Sequence, residues 1–263
     1  MYKEFWKLSR YPFENTPDPE FFYSSPVHRE ALEWVTYGIQ ERKGAVVLTG
    51  DVGCGKTLVS RRVIRELSPD EYELAVVVNP SLSPVDLLRE ILFQLGAAKA
   101  PRAKVEILHE LNSALIANHQ ARKHTVIFID EAQAIKNAGT LEELRLLLNF
   151  QLNDGYLLTL VLVGQPEWAE RLAVLPQLEQ RIAVHYNLRP LELAETEHYV
   201  QHRLRIAGAY ENAFTPEALR AVHASTGGIP RRINTLCDRS LMVASQRGEH
   251  RVDESLVRRL AAR

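Results

Sequence analysis

Five short apolar runs punctuate the first 190 residues: Ala45–Thr49, Leu74–Asn79, Val126–Ile129, Leu157–Val163 and Ala183–Leu188. Continuous apolar runs of this length read as strands buried on both faces. Between them, apolar residues recur at helical spacing. A helix is predicted from Pro26, just after Ser25, to about Arg42, with proline in the first turn where its missing N–H is not needed. Further helices are predicted over 58–67, from Pro84 to Leu95 behind a Ser83 cap, over 103–122 with Val105, Leu108, Leu111 and Leu115 on its apolar face, and over Leu141–Gln151. Asn153-Asp154-Gly155 reads as a turn. Strands alternating with helices imply a parallel sheet covered on both faces. Beyond Pro190 the pattern is helical only, over Ala194–Ala207, Pro216–Ser225, Arg231–Gln246 and Asp253–Ala262. The chain is therefore divided near 190 into an α/β part, 1–190, and a helical lid, 191–263. Residues 1–26 are irregular, aromatic and proline-broken, and read as a strap packed on the sheet.

The loop after the first run carries the sharpest chemistry. Residues 50–57, Gly50-Asp51-Val52-Gly53-Cys54-Gly55-Lys56-Thr57, fit the phosphate-loop pattern G-x-x-x-x-G-K-[ST] between a strand and a helix. Glycines let the backbone aim its N–H groups inward, and the helix start adds partial positive charge. Leu58 opens the helix proper. Lys56 is expected to reach the terminal phosphates and Thr57 to hold Mg2+.

Three other segments end strands or open helices with polar residues. Asp130-Glu131 closes the third run; Asp130 is expected to orient a magnesium-bound water and Glu131 to take a proton from the attacking water. Acids in this position also cap helices, and the phosphate loop upstream favours the catalytic role. Gln165 follows the fourth run and either bonds the terminal phosphate or opens the next helix. Arg181 precedes the fifth run, as a surface arginine or one offered to a neighbouring subunit. Gly227-Gly228-Ile229-Pro230-Arg231 opens a lid helix, with Arg231 either directed at a nucleotide or solvated.

Charge and cysteines narrow the setting. The net charge is −1, so no global attraction to nucleic acid or anionic membrane operates. The segment 218–263, however, carries nine arginines, no lysine and four acids, +5 against −6 for the rest. A solvated helical face explains such a bias, and so does a DNA-facing surface. Cys54 lies inside the phosphate loop, where a disulfide would obstruct a ligand, and Cys237 is remote, so reduced thiols and a cytoplasmic setting are expected. No apolar run approaches the roughly 18 residues of a membrane helix, although the chain is also compatible with the cytoplasmic part of an inner-membrane-anchored protein.

In this order, these motifs resemble an AAA+ ATPase across essentially the whole chain. That resemblance implies a P-loop NTPase sheet of order 5-1-4-3-2, a small C-terminal helical lid, and ATP with Mg2+ bound between subunits of a homo-oligomeric ring or filament. It makes Gln165 the first sensor, Arg181 the arginine finger and Arg231 the second sensor. The front end, with Tyr11-Pro12-Phe13, Thr16-Pro17-Asp18-Pro19, Phe21-Phe22-Tyr23, His28-Arg29-Glu30-Ala31-Leu32 and Tyr37-Gly38-Ile39, resembles the general secretion pathway protein A (ExeA-type) family. That family couples ATP hydrolysis to assembly of an outer-membrane secretin in type II secretion and pilus-like systems, so an envelope-secretion partner is implied. Many members carry a membrane helix and a peptidoglycan-binding domain beyond the ATPase, and neither is expected within residues 1–263. The resemblance also sets Tyr37 and Ile39 beside the adenine. The competing expectations are a DNA-binding, transposition-accessory AAA+ ATPase and a scaffold that binds ATP with little hydrolysis.

Overall fold

The computed structural model describes every residue except 1, 16–18, 154, 174, 209–212 and 263. Thr16-Pro17-Asp18 of the front end and Asp154 of the expected turn lie outside the described residues. The chain resolves into two compact units, one of residues 30–50 and 59–188, the other of residues 1–29, 51–58 and 189–263.

The first unit is built on five strands: β1 (Ala45–Gly50), β2 (Tyr72–Val77), β3 (His124–Ile129), β4 (Leu158–Val163) and β5 (Ile182–Leu188). All neighbours pair in parallel, in the order β2-β3-β4-β1-β5. This is the expected order 5-1-4-3-2 read from the other edge. The central strands β1, β3 and β4 are buried at every position, which is why their sequences are mostly apolar. The edge strands β2 and β5 are only partly buried. β2 starts and stops two residues earlier than expected, leaving Val78 beyond its end and 68% exposed.

Helices α1 (Pro26–Gln40), α2 (Lys56–Glu66), α3 (Pro84–Gln94), α4 (Lys104–Gln120), α5 (Ala138–Leu147) and α6 (Pro166–Ala173) accompany the strands. Ser83 caps α3 by accepting the Asp86 N–H. Asn137 caps α5 by accepting the Gly139 N–H, and so starts that helix three residues before Leu141. α4 buries Leu111 and Leu115 and half-buries Leu108 as expected, but not Val105. Ile107, Leu111 and Leu115 are buried at strict i, i+4 spacing, whereas Val105 is 58% exposed. Around the turn expected at 153–155, Gln151–Leu152 and Gly155–Tyr156 pair as a small antiparallel ribbon. The core gathers Leu87, Leu88, Ile91, Ile107, Leu111 and Trp168 around the sheet.

A polar knot is buried at the N-terminal edge of the same sheet. The Thr159 hydroxyl donates to the Lys43 carbonyl at 2.6 Å and lies 2.9 Å from His124 Nε2. Since the hydroxyl hydrogen is committed to Lys43, His124 is the donor in the second contact. Burial, aided by the charges of Arg42 and His119, pushes the His124 pKa down to about 4.

The second unit is helical: α7 (Leu193–Ile206), α8 (Pro216–Thr226), α9 (Pro230–Gln246) and α10 (Glu254–Ala261). Thr215 and Asp253 cap α8 and α10 through the Ala218 and Leu256 N–H groups. The aromatic front end packs on these helices. Trp6 Nε1 donates to the Leu241 carbonyl at 3.0 Å, Tyr2 bonds Asp238, and Phe13 meets Phe214 edge to face. Arg203, 6% exposed, donates to the carbonyls of Pro12 and Glu14. A buried guanidinium needs such acceptors, and an irregular proline-broken segment has free carbonyls to supply them. Gly228 adopts φ +73°, and a Cβ there would stand 1.9 Å from the Leu191 carbonyl oxygen. The close approach lets the Leu191 N–H donate to Gly228 O at 2.9 Å just before α9.

Candidate nucleotide-binding and hydrolytic site

In the sheet unit, parallel pairing brings the C-terminal ends of β1, β4 and β3 to one edge, with β4 between the other two. Ligands bind along this edge in open parallel sheets. The edge carries Gly50 at the end of β1, Asp130 and Glu131 after β3, and Gly164 and Gln165 after β4.

Asp130 is held by its own backbone and side chain. Its N–H donates to the Val77 carbonyl at 2.9 Å, and its carboxylate accepts the Glu131 N–H at 2.9 Å. Glu131 is exposed and left-handed, φ +52° and ψ +39°. An unbranched acid in that region stores roughly 1 kcal/mol or more of strain, a cost typical of functional turns. Gln133, two residues on in a short 3-10 turn, holds the glutamate. Its amide nitrogen bonds the Glu131 carboxylate while its carbonyl oxygen accepts the Gln165 N–H at 3.1 Å. The backbone donor fixes which end of the amide faces which partner. Arg171 steadies the turn by donating to the Gln133 carbonyl at 3.1 Å. Gln133 thus joins the ends of β3 and β4, a role the sequence reading missed. The signal was present as the spacing Asp130-Glu131-x-Gln133, but a glutamine two residues from an acid has no meaning until the turn is known.

Arg181 keeps Nη1 buried without a hydrogen-bond partner. Tyr37 and Ile39, two residues apart on α1, part company as helical spacing demands. Ile39 is fully buried, whereas Tyr37 is 46% exposed and meets Trp34 edge to face.

In the other unit, residues 51–58 form the loop and the start of α2. Asp51 and Val52 are exposed, while Gly53, Gly55, Thr57 and Leu58 are half-buried. α2 begins at Lys56, so the partial positive charge of its N-terminus falls on the last loop residues and the first helical ones. Lys56 is 8% exposed, and its Nζ donates to the Asp51 carbonyl at 3.0 Å, across the mouth of the loop. Cys54 N–H closes a turn on the Asp51 carbonyl at 3.2 Å. The Cys54 side chain is fully buried, and burial, with the nearby Asp51 charge, pushes its thiol up to about 11. Two other segments of the unit grip the loop. The Arg231 N–H at the start of α9 reaches the Gly53 carbonyl at 3.3 Å, leaving the Arg231 side chain exposed. His28 reaches the Cys54 carbonyl with Nε2 at 2.9 Å.

A strand, a glycine loop with a helix-start lysine, and a sheet edge ending in adjacent acids define a P-loop NTPase. The chain matches the AAA domain family over residues 39–172 and belongs to it. It is 44% identical over 255 residues to general secretion pathway protein A of Aeromonas hydrophila, covering 96% of this chain and 46% of that protein. The likeness to that family noted in the front-end motifs thus extends along nearly the whole chain, which spans less than half the length of this relative. Among solved structures it resembles the Aeropyrum pernix ORC2 protein in its ADPNP-ADP complexes, with TM-score 0.69 and 18% identity over 97% of this chain and 71% of that one. It also resembles the RuvB Holliday junction branch migration motor of Thermotoga maritima, with TM-score 0.62 and 18% identity over 96% and 73%. At these identities the two structures speak for the fold.

Proposed function

We propose that the chain is the Mg2+-dependent ATPase part of an envelope-assembly machine, of the kind served by general secretion pathway protein A. The observation that carries the reading is the loop from Gly50 to Thr57, with the Lys56 ammonium near its mouth and a helix beginning beneath it. In this reading residues 1–190 act as the nucleotide-binding domain and 191–263 as its lid. Backbone N–H groups of the loop, that of Gly55 among them, receive the phosphates, and Lys56 exchanges the Asp51 carbonyl for phosphate oxygens. The Thr57 hydroxyl and the Asp130 carboxylate are hard oxygen donors that suit Mg2+, whose remaining positions are usually water and phosphate. When bound, the ion neutralises charge on the phosphates. Glu131 orients a water and takes its proton as the water oxygen bonds the γ-phosphorus; the bond to the bridging oxygen breaks, leaving ADP and inorganic phosphate.

The remaining assignments extend the same proposal. Gln165 contacts the γ-phosphate, Arg231 senses it from the lid, and Arg181 swings out of its buried position to serve a neighbouring subunit of a homo-oligomer. Tyr37 borders the base, with Ile39 backing it from the core. The partner is a component of the secretion apparatus, met in the cytoplasm. No helix among the described residues is long and apolar enough to cross a membrane. The basic lid offers less to DNA than its composition suggests, because Arg220, Arg247 and Arg258 pair with Glu217, Glu249 and Glu254.

Calorimetry with Mg·ATP, followed by phosphate release with and without duplex DNA, tests this reading. Saturable binding with turnover indifferent to DNA is expected. No heat and no thermal shift would overturn it, and turnover that rises with DNA and falls with salt would replace it by a DNA-linked ATPase.

A further inference from the structure

His28 is the one buried imidazole that touches the phosphate loop among the described residues, and the hydrolytic scheme gives it no task. It is 5% exposed, at the start of α1. Nδ1 lies 2.7 Å from the Ser25 hydroxyl, and Nε2 lies 2.9 Å from the Cys54 carbonyl oxygen. A carbonyl can only accept, so Nε2 carries the proton, and Nδ1 accepts from Ser25. Burial lowers the His28 pKa below the ordinary imidazole value, in keeping with this neutral form. The bond therefore has one polarity and one tautomer.

Its consequence follows from peptide geometry. The bond between Cys54 and Gly55 is planar and trans, so the Cys54 C=O and the Gly55 N–H point in opposite directions. Drawing the carbonyl to His28 turns the Gly55 N–H away from it. Gly55 sits at φ +104°, and a Cβ there would lie 2.8 Å from His28 Nε2. The imidazole thus occupies the space on one side of this glycine. Glycine alone tolerates this backbone, and glycine is also the residue whose flanking peptide flips most easily. A loop built to be supple needs something to stop it turning over.

We infer that His28 is a positioning residue that locks the Cys54–Gly55 peptide so that the Gly55 N–H faces the phosphates of a bound nucleoside triphosphate. The inference rests on the nucleotide reading of the loop. The junction of the amino-terminal strap and α1, Ser25 with His28, then sets the orientation of one phosphate donor before any ligand arrives. Pre-set donors bind more tightly than donors that must reorient.

Two measurements test it. In the intact chain, nitrogen chemical shifts of His28 must show a neutral imidazole protonated at Nε2, with that proton protected from exchange. A proton on Nδ1 overturns the inference whatever any variant does. Binding of Mg·ATP is then compared in wild type, His28→Met and His28→Gln. Methionine fills the space without a donor, whereas the glutamine amide can replace Nε2–H. His28→Met is expected to weaken binding about tenfold at unchanged fold, and His28→Gln to stay within about threefold of wild type. Wild-type affinity in His28→Met, with wild type itself binding, overturns the inference alone. Failure of the wild type to bind overturns the nucleotide reading as well.

Discussion

The loop after β1 and the acid pair after β3 are held in opposite ways. The loop is shaped by backbone: glycine conformations, a helix start, and N–H or imidazole donors that grip the carbonyls of Gly53 and Cys54. The acid pair is shaped by side chains: the Asp130 carboxylate on the Glu131 N–H, and the Gln133 amide spanning Glu131 and Gln165. Backbone sites have few acceptable sequences, because a Cβ either fits or does not. Side-chain sites admit several residues that can reach the same partner. Substitutions should therefore act on binding at the first region and on turnover at the second.

The largest expected effect is at the loop. Lys56→Ala should weaken Mg·ATP binding beyond about 1,000-fold, by calorimetry, since a desolvated charge on phosphate is lost. Near-normal affinity would break the contrast at its strongest point. Glu131→Gln should lower single-turnover hydrolysis about 500-fold while leaving the dissociation constant within about threefold; an equal loss in both would make Glu131 a binding residue instead.

The far edge of the sheet supplies a control that owes nothing to nucleotide. His124 has its folded pKa depressed to about 4, against an ordinary 6.5. The unfolded chain takes up that proton first, so stability is full above pH 6.5 and falls as pH drops towards 4, by about 3 kcal/mol at most. Chemical denaturation across that range should show the loss, and His124→Gln should flatten it. An unchanged slope in the variant would assign acid sensitivity to other groups.

The smallest effect is at Gln133. Gln133→Leu removes both amide contacts and should lower kcat about tenfold with KM unchanged, while Gln133→Glu should not restore it, because a carboxylate repels Glu131. A change in KM alone would place Gln133 with the loop rather than with the acids.

What was legible in the sequence follows the same division. The five strands, their parallel pairing and the phosphate loop could be read because buried strands and tight glycine turns leave few alternatives. Asp130 and Glu131 stood out because a phosphate loop lies upstream; without it, two acids after an apolar run read as a helix cap. Gln133 and His28 did not, since each acts through a hydrogen bond whose partner is set by tertiary geometry. Composition showed an arginine-rich lid but not the ion pairs that neutralise part of it. Helical periodicity found α4 and most of its buried stripe, yet Val105 and Ile107 were equally apolar, and only packing showed which of the two lies inside. The aromatic front end was expected on the sheet, but its contacts are with the C-terminal helices; the buried Arg203, drawing on its carbonyls, is a partner that no sequence pattern names.

Cys54 has a practical corollary. Its thiol and that of Cys237 are both enclosed, and burial raises the pKa of each. Neither should react readily with maleimide, so a single cysteine introduced at an exposed position such as Val78 would carry a fluorophore with little background, offering a reporter of ligand-driven motion that leaves the native thiols in place.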